Sequence, residues 1–129
     1  MPFDPIPAAD EKIARDIIGC AIEVHRILGP GFIENIYQKA LEYELISLGY
    51  TAEYEQPIMV PYKDQLLSGH RVDLLIGSRV IVELKTVEMI SEVHQAKLIS
   101  YLKATSLRLG LIINFNVLIL KDGIKRIVR

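Results

Sequence analysis

The stretch from Arg71 to Thr86, RVDLLIGSRVIVELKT, limits the possible folds more than any other part of the chain. Two runs rich in β-branched and aliphatic residues flank Gly77-Ser78, the pattern of a β-hairpin. Its register follows from side-chain alternation. A two-residue loop would pair Ile76 with Arg79 and set Asp73 against Val82, mixing polar and apolar on one face. Pairing Ile76 with Val80 instead sets Leu74 against Val82 and Val72 against Leu84, giving one clean apolar face. A three-residue loop, Gly77 to Arg79, is therefore expected. On the other face Asp73 then lies across from Glu83, with Lys85 two residues along.

Two carboxylates in cross-strand contact repel each other unless a cation lies between them. A divalent metal is the simplest such cation. Mg²⁺ or Mn²⁺ takes oxygen ligands, commonly one or two carboxylates completed by water and substrate phosphate. Lys85 beside it could steady developing negative charge or orient an attacking water. The plainer reading is a salt-bridge cluster on a solvated sheet face, because an acid two residues before a lysine is common in strands.

The rest of the chain supplies elements to pack on this hairpin. Ile13, Ile17, Ala21, Val24 and Leu28 recur at helical spacing until Gly29-Pro30-Gly31, after a Pro-rich leader over residues 1–8. A second helix is expected from about Ile33 to Leu48. Thr51 to Val60, interrupted by Pro57, reads as an edge strand or a bulged one, and Pro61 to Gly69 as a loop. A third helix should run from about Ser91, its cap, to Ala104. Leu109–Ile113 and Val117–Leu120 read as buried strands, and Ile124–Val128 as a short last one.

Helical wheels add polar candidates. With Glu34 at 0°, Leu45, Leu41 and Leu48 fall within about 40°, so Glu34 points along the buried stripe of its helix. A carboxylate there needs a partner, which a metal or Lys85 could be, unless it only complements the helix dipole. On the third helix Gln95 lies within the inward arc of Leu98, Ile99 and Leu102, Tyr101 at its edge, and His94 and Lys97 outside it. Tyr37 reads as a packing aromatic. His25, His70 and His94 show no metal-binding spacing, and His70 is of interest for its closeness to Asp73.

The 129 residues indicate one domain with a core of its own. The single cysteine, Cys20, excludes an intramolecular disulfide framework and a CxxC zinc site, and suits a reducing, cytoplasmic setting. No secretory signal is expected, and no apolar run approaches the roughly 20 residues that span a membrane.

Glu34, Asp73, Glu83-Leu84-Lys85 and Gln95, in this order, resemble the PD-(D/E)XK nuclease superfamily. Gly31-Phe32-Ile33-Glu34-Asn35-Ile36-Tyr37 looks like the signature of its small GxxExxY family. The resemblance runs from about Ile13 to Asn114-Phe115-Asn116. It implies an α/β fold, a restriction-endonuclease-like core with a central mixed sheet flanked by helices. It also implies that Asp73, Glu83 and the main chain of Leu84 bind Mg²⁺ or Mn²⁺, that Lys85 assists hydrolysis, and that Glu34 joins the metal site. Exonuclease relatives carry a Gln and a Tyr four residues apart on the next helix. Here Gln95 and Tyr101 are six apart, and Val72 stands where the motif has proline. Small members often act in pairs, which leaves a homodimer open, though no dimer face stands out.

The function expected is metal-dependent hydrolysis of nucleic-acid phosphodiester bonds, with DNA as substrate. Its rival is a nuclease-like module that binds nucleic acid or a protein partner without cutting. A net charge of −1 excludes an evenly basic coat but hides a split: residues 1–64 carry 11 acids and 5 bases, residues 65–129 carry 5 acids and 10 bases. Lys97, Lys103, Arg108, Lys121, Lys125, Arg126 and Arg129 are the candidates for a phosphate-facing side, with Tyr101, Lys97 and Lys103 nearest the substrate.

Overall fold

The structure is a computed structural model that describes residues 4–129. Helices α1 (Ala8–Leu28) and α2 (Glu34–Ser47) precede strands β1 (Ala52–Tyr62), β2 (Gln65–Ile76) and β3 (Val80–Lys85). Helix α3 (Glu92–Thr105), β4 (Leu109–Asn114), a short 3₁₀ turn (Leu120–Gly123) and β5 (Ile124–Val128) follow. The strands form one sheet in chain order, antiparallel except where β4 runs parallel to β3 after the α3 crossover. It is the expected mixed α/β sheet. The leader ends sooner than expected, with α1 starting at Ala8, and residues 1–3 of it lie outside the described residues.

β3 and β4 are central and buried on both faces, which is why they read as continuous apolar runs. Val80, Val82, Leu84, Leu109, Leu111 and Ile113 pack under α1 and α2. Ile81 and Ile112 alternate to the other face, where Leu98 and Leu102 of α3 cover them. Among the described residues no helix is long and apolar enough to cross a membrane.

The β2–β3 hairpin has the expected register: Ile76 pairs with Val80, Leu75 with Ile81 and Leu74 with Val82. Gly77 and Ser78 both take left-handed φ, 59° each, and Arg79 N donates to Ile76 O to close the three-residue loop. The expected Val72–Leu84 contact is not made. Glu55, across from Asp73 on β1, has φ 46°, and pairing between β1 and β2 skips these two residues. The strand therefore changes face there: Leu74 joins the α1/α2 core and Val72 the α3 core.

Two further expectations are corrected. Pro61–Gly69 is no loop: β1 and β2 continue to a tight turn at Lys63-Asp64, with Tyr62 paired to Gln65. This outer hairpin is exposed throughout residues 61–70, so no core face imposes the alternation that would have revealed it. Val117–Leu120 is no strand either. Leu118 and Ile119 are 88% and 59% exposed, and the chain turns at Leu120–Gly123. Gly123 makes that turn possible, since a Cβ there would lie 2.2 Å from Asn114 O. β1 is an edge strand with a register shift between Ile58 and Val60, as Pro57 suggested.

Candidate active site

Beyond Leu74–Val82 the two hairpin strands part, and side chains take over the backbone's hydrogen bonds. Asp73 Oδ2 accepts from Leu84 N at 2.8 Å, and Glu83 Oε1 accepts from Asp73 N at 3.2 Å. Each carboxylate is thus tied to the backbone of the pair, which holds the two acids together against their repulsion. Both are half-buried. Glu83 is pushed up to about 8, first by burial and next by the negative charge of Asp73, with Lys85 pulling the other way. At neutral pH the pair therefore shares a proton where a stronger cation could sit.

Glu34, the first residue of α2, is raised by burial and then by the charge of Asp73, while Lys85 lowers it. Glu34 thus feels the pair through the charge of Asp73. Among the described residues no three His, Cys, Asp or Glu side chains gather closely enough to enclose a metal. The oxygen donors are two acids in contact and a third at a distance. That set fits a hard divalent cation that keeps several waters, not a closed protein cage.

A cavity of about 70 Å³ opens beside the pair, lined by Glu83, Lys85, His94, Lys97 and Tyr101 over a floor of Leu98 and Ile112. Helix α3 is fixed over it at its first turn. Ser91 Oγ accepts from His94 N at 3.2 Å and His94 Nδ1 accepts from Ser91 N at 3.0 Å, a reciprocal cap with histidine in the usual glutamate place. Burial, then Lys85 and Lys97, hold His94 below the ordinary histidine range, which keeps Nδ1 free to accept. Burial and the charges of Glu83 and Asp73 raise the Tyr101 phenol, so it stays a donor. A larger groove of about 360 Å³, lined by Ile58, Val72, Leu75, Ile81 and Leu107 among others, holds no ionisable side chain.

The end of β3 is clamped by a residue the sequence reading did not single out. Asn114, 2% exposed and paired with Lys85 in the β3–β4 register, donates through Nδ2 to Val87 O at 2.7 Å. Its Oδ1 accepts from Val87 N and Asn116 N, each at 3.1 Å. The chain leaving Lys85 therefore has one course. A buried asparagine closing an apolar run, followed by Phe115-Asn116, was the available signal.

Glu34, Asp73, Glu83, Lys85, Lys97 and Tyr101 are brought to one end of the sheet by these contacts and fields. Gln95 is half-buried but does not line the cavity. At 100° per residue, His94, Tyr101 and Lys97 fall about 40–100° to one side of Leu98 and Gln95 about 60° to the other. The wheel placed Leu98 and Leu102 correctly, but Ile99, set in the same inward arc, is exposed, while His94 and Lys97, set outside it, border the cavity. Lys103 is exposed further along α3. The basic side is also smaller than the sequence suggested. Arg126 pairs with Glu11 at 2.5 Å, and Arg108 donates to Arg129 O and Asp4 O, tying the two ends of the chain together.

A mixed five-stranded sheet with two helices on one face and one on the other, and acids at the open end of its central hairpin, defines a restriction-endonuclease-like α/β protein. A family model of the PD-(D/E)XK nuclease superfamily matches residues 11–127, and the chain belongs to that superfamily. Membership points to nuclease activity. No curated protein and no solved structure matches the chain.

Proposed function

We propose that the protein is a Mg²⁺- or Mn²⁺-dependent nuclease of the GxxExxY type that hydrolyses DNA phosphodiester bonds in the cytoplasm. The observation that carries this reading is the Asp73–Glu83 pair, tied to the hairpin backbone and short of one positive charge beside Lys85. Asp73 and Glu83 would hold the metal, with the main-chain carbonyl of Leu84 as a further ligand and Glu34 joining the site. A divalent cation so held supplies Lewis acidity and lowers the pKa of a water. Lys85 donates to a non-bridging phosphate oxygen and stabilises charge as it grows, while Lys97 and Tyr101 hold the phosphate at the cavity wall. Lys103 meets the backbone further along the strand.

Cleavage of a labelled DNA by the purified protein in Mn²⁺ is the test, with Glu83→Ala and Lys85→Ala alongside. Loss of cleavage in both variants is expected; equal cleavage by all three proteins would refute the assignment. Among the described residues no third acid joins the pair, which favours one other reading, a module that binds nucleic acid or a protein partner without cutting. Calorimetric titration separates the two, since that module binds no Mn²⁺ at Asp73 and Glu83.

A further inference from the structure

Tyr101 does not stand alone on the cavity wall. Its hydroxyl lies 3.4 Å from Nδ1 of His70, and the two rings are in tilted contact, centroids 5.4 Å apart and planes at 54°. His70 is exposed on β2, three residues before Asp73, where the outer hairpin leaves the sheet. The contact therefore ties the strand that carries one acid to the helix that carries Tyr101 and Lys97. Of the two rings, Tyr101 lines the cavity whose wall also includes Glu83.

A phenol has one hydrogen to give. If Tyr101 donates it to Nδ1 of His70, only oxygen lone pairs are turned toward the cavity, and these repel a phosphate. If His70 carries its proton on Nδ1 and donates to the phenol oxygen, the Tyr101 hydrogen is released toward the cavity. A phosphate oxygen is an acceptor only, so it selects the second arrangement. The Nε2 side of an exposed imidazole can exchange its proton with water, which makes the change of tautomer accessible.

We propose that His70 is a positioning residue for the bound phosphodiester: it fixes the Tyr101 ring and, through Nδ1–H, aims the Tyr101 hydroxyl at the phosphate held beside Lys85 and Lys97. This rests on the nuclease reading for the identity of the ligand, but its test does not depend on cleavage. Binding of a fluorescein-labelled oligodeoxythymidylate is measured in Ca²⁺, and cleavage of the same strand in Mn²⁺. Tyr101→Phe weakens binding about 10-fold, the loss of one hydrogen bond to a charged group, and His70→Leu about 3- to 10-fold with kcat little changed. The double variant binds no more weakly than Tyr101→Phe alone, because His70 acts through the hydroxyl. His70→Asn, whose amide nitrogen can take the place of Nδ1, returns binding to within about 2-fold of wild type.

Additive losses in the double variant, or unchanged binding by His70→Leu, overturn the proposal. So does a nitrogen NMR spectrum in which His70 keeps its proton on Nε2 in the oligonucleotide complex. Wild-type protein that binds but does not cut refutes the nuclease reading and leaves this comparison to be judged on binding alone; wild-type protein that binds no oligonucleotide overturns both.

Discussion

Replacing Glu83 with glutamine should make the metal-free protein more stable at pH 8 and no more stable at pH 4.5. The glutamate titrates at an ordinary 4.5 when the chain is unfolded and at about 8 when folded. Between those values the folded state binds the extra proton, so this group's contribution is greatest below 4.5 and is lost as pH rises toward 8. Each pH unit of that window is worth about 1.4 kcal/mol, so the cost is about 3 kcal/mol at pH 7 and between 4 and 5 at pH 8 as a ceiling. Glutamine is close in shape to the protonated acid. Its oxygen can still accept from Asp73 N, and its amide can donate to the Asp73 carboxylate in place of the shared proton. Urea denaturation in chelator should show the variant ahead by about 2–4 kcal/mol at pH 8 and level within about 0.5 kcal/mol at pH 4.5. Adding Mn²⁺ should raise the wild type and not the variant. An equal gap at both pH values would mean that packing, not charge, separates the two proteins, and the account of the acid pair would fall.

Lys85→Ala should cut the rate of DNA cleavage by about 100-fold or more while Mn²⁺ affinity by calorimetry is undiminished, since a positive neighbour is removed from a cation site; weaker Mn²⁺ binding would show that Lys85 organises the acids. Asn114→Leu leaves Val87 N and Asn116 N without their acceptor and Val87 O with only the longer bond from Asn116 Nδ2, and should cost about 2–4 kcal/mol, seen as a fall in Tm of roughly 10 °C, whereas Asn116→Ala should shift it little. Arg79 pairs with Asp10, which is 3% exposed, so Arg79→Ala strands a buried carboxylate; a loss of about 1–2 kcal/mol is expected because the arginine is itself half-exposed. A double-mutant cycle with Asp10→Ala that gives no coupling would contradict that pairing.

What could be read from the sequence was what the core dictates. Leu74, Ile76, Val80 and Val82 allow one register, and with it came the neighbourhood of Asp73 and Glu83. The change of face at Asp73 was hidden, because it depends on the φ of Glu55 on another strand, a residue with no local reason to be left-handed. Pro61–Gly69 and Val117–Leu120 misled in opposite ways: one is exposed strand without alternation, the other apolar chain left in solvent. For Gln95 and Lys97 the helix period gave the wheel but not the side on which a cavity would open. That depends on where β3 ends beneath α3, and the end of β3 is set by Asn114 from a strand further on.

The crossing of hydrogen bonds at the mouth of the hairpin also bears on the order in which the molecule assembles. Asp73 and Glu83 are ten residues apart, with only the Gly77–Arg79 turn to close, so their meeting is a local contact of the kind that forms fast. In the open hairpin water still screens the two acids, and the cost of their closeness grows as burial removes that water. A proton on Glu83 therefore eases the later step in which the helices close over the hairpin. The acid pair thus makes the covering of the hairpin, rather than its formation, the pH-dependent part of assembly.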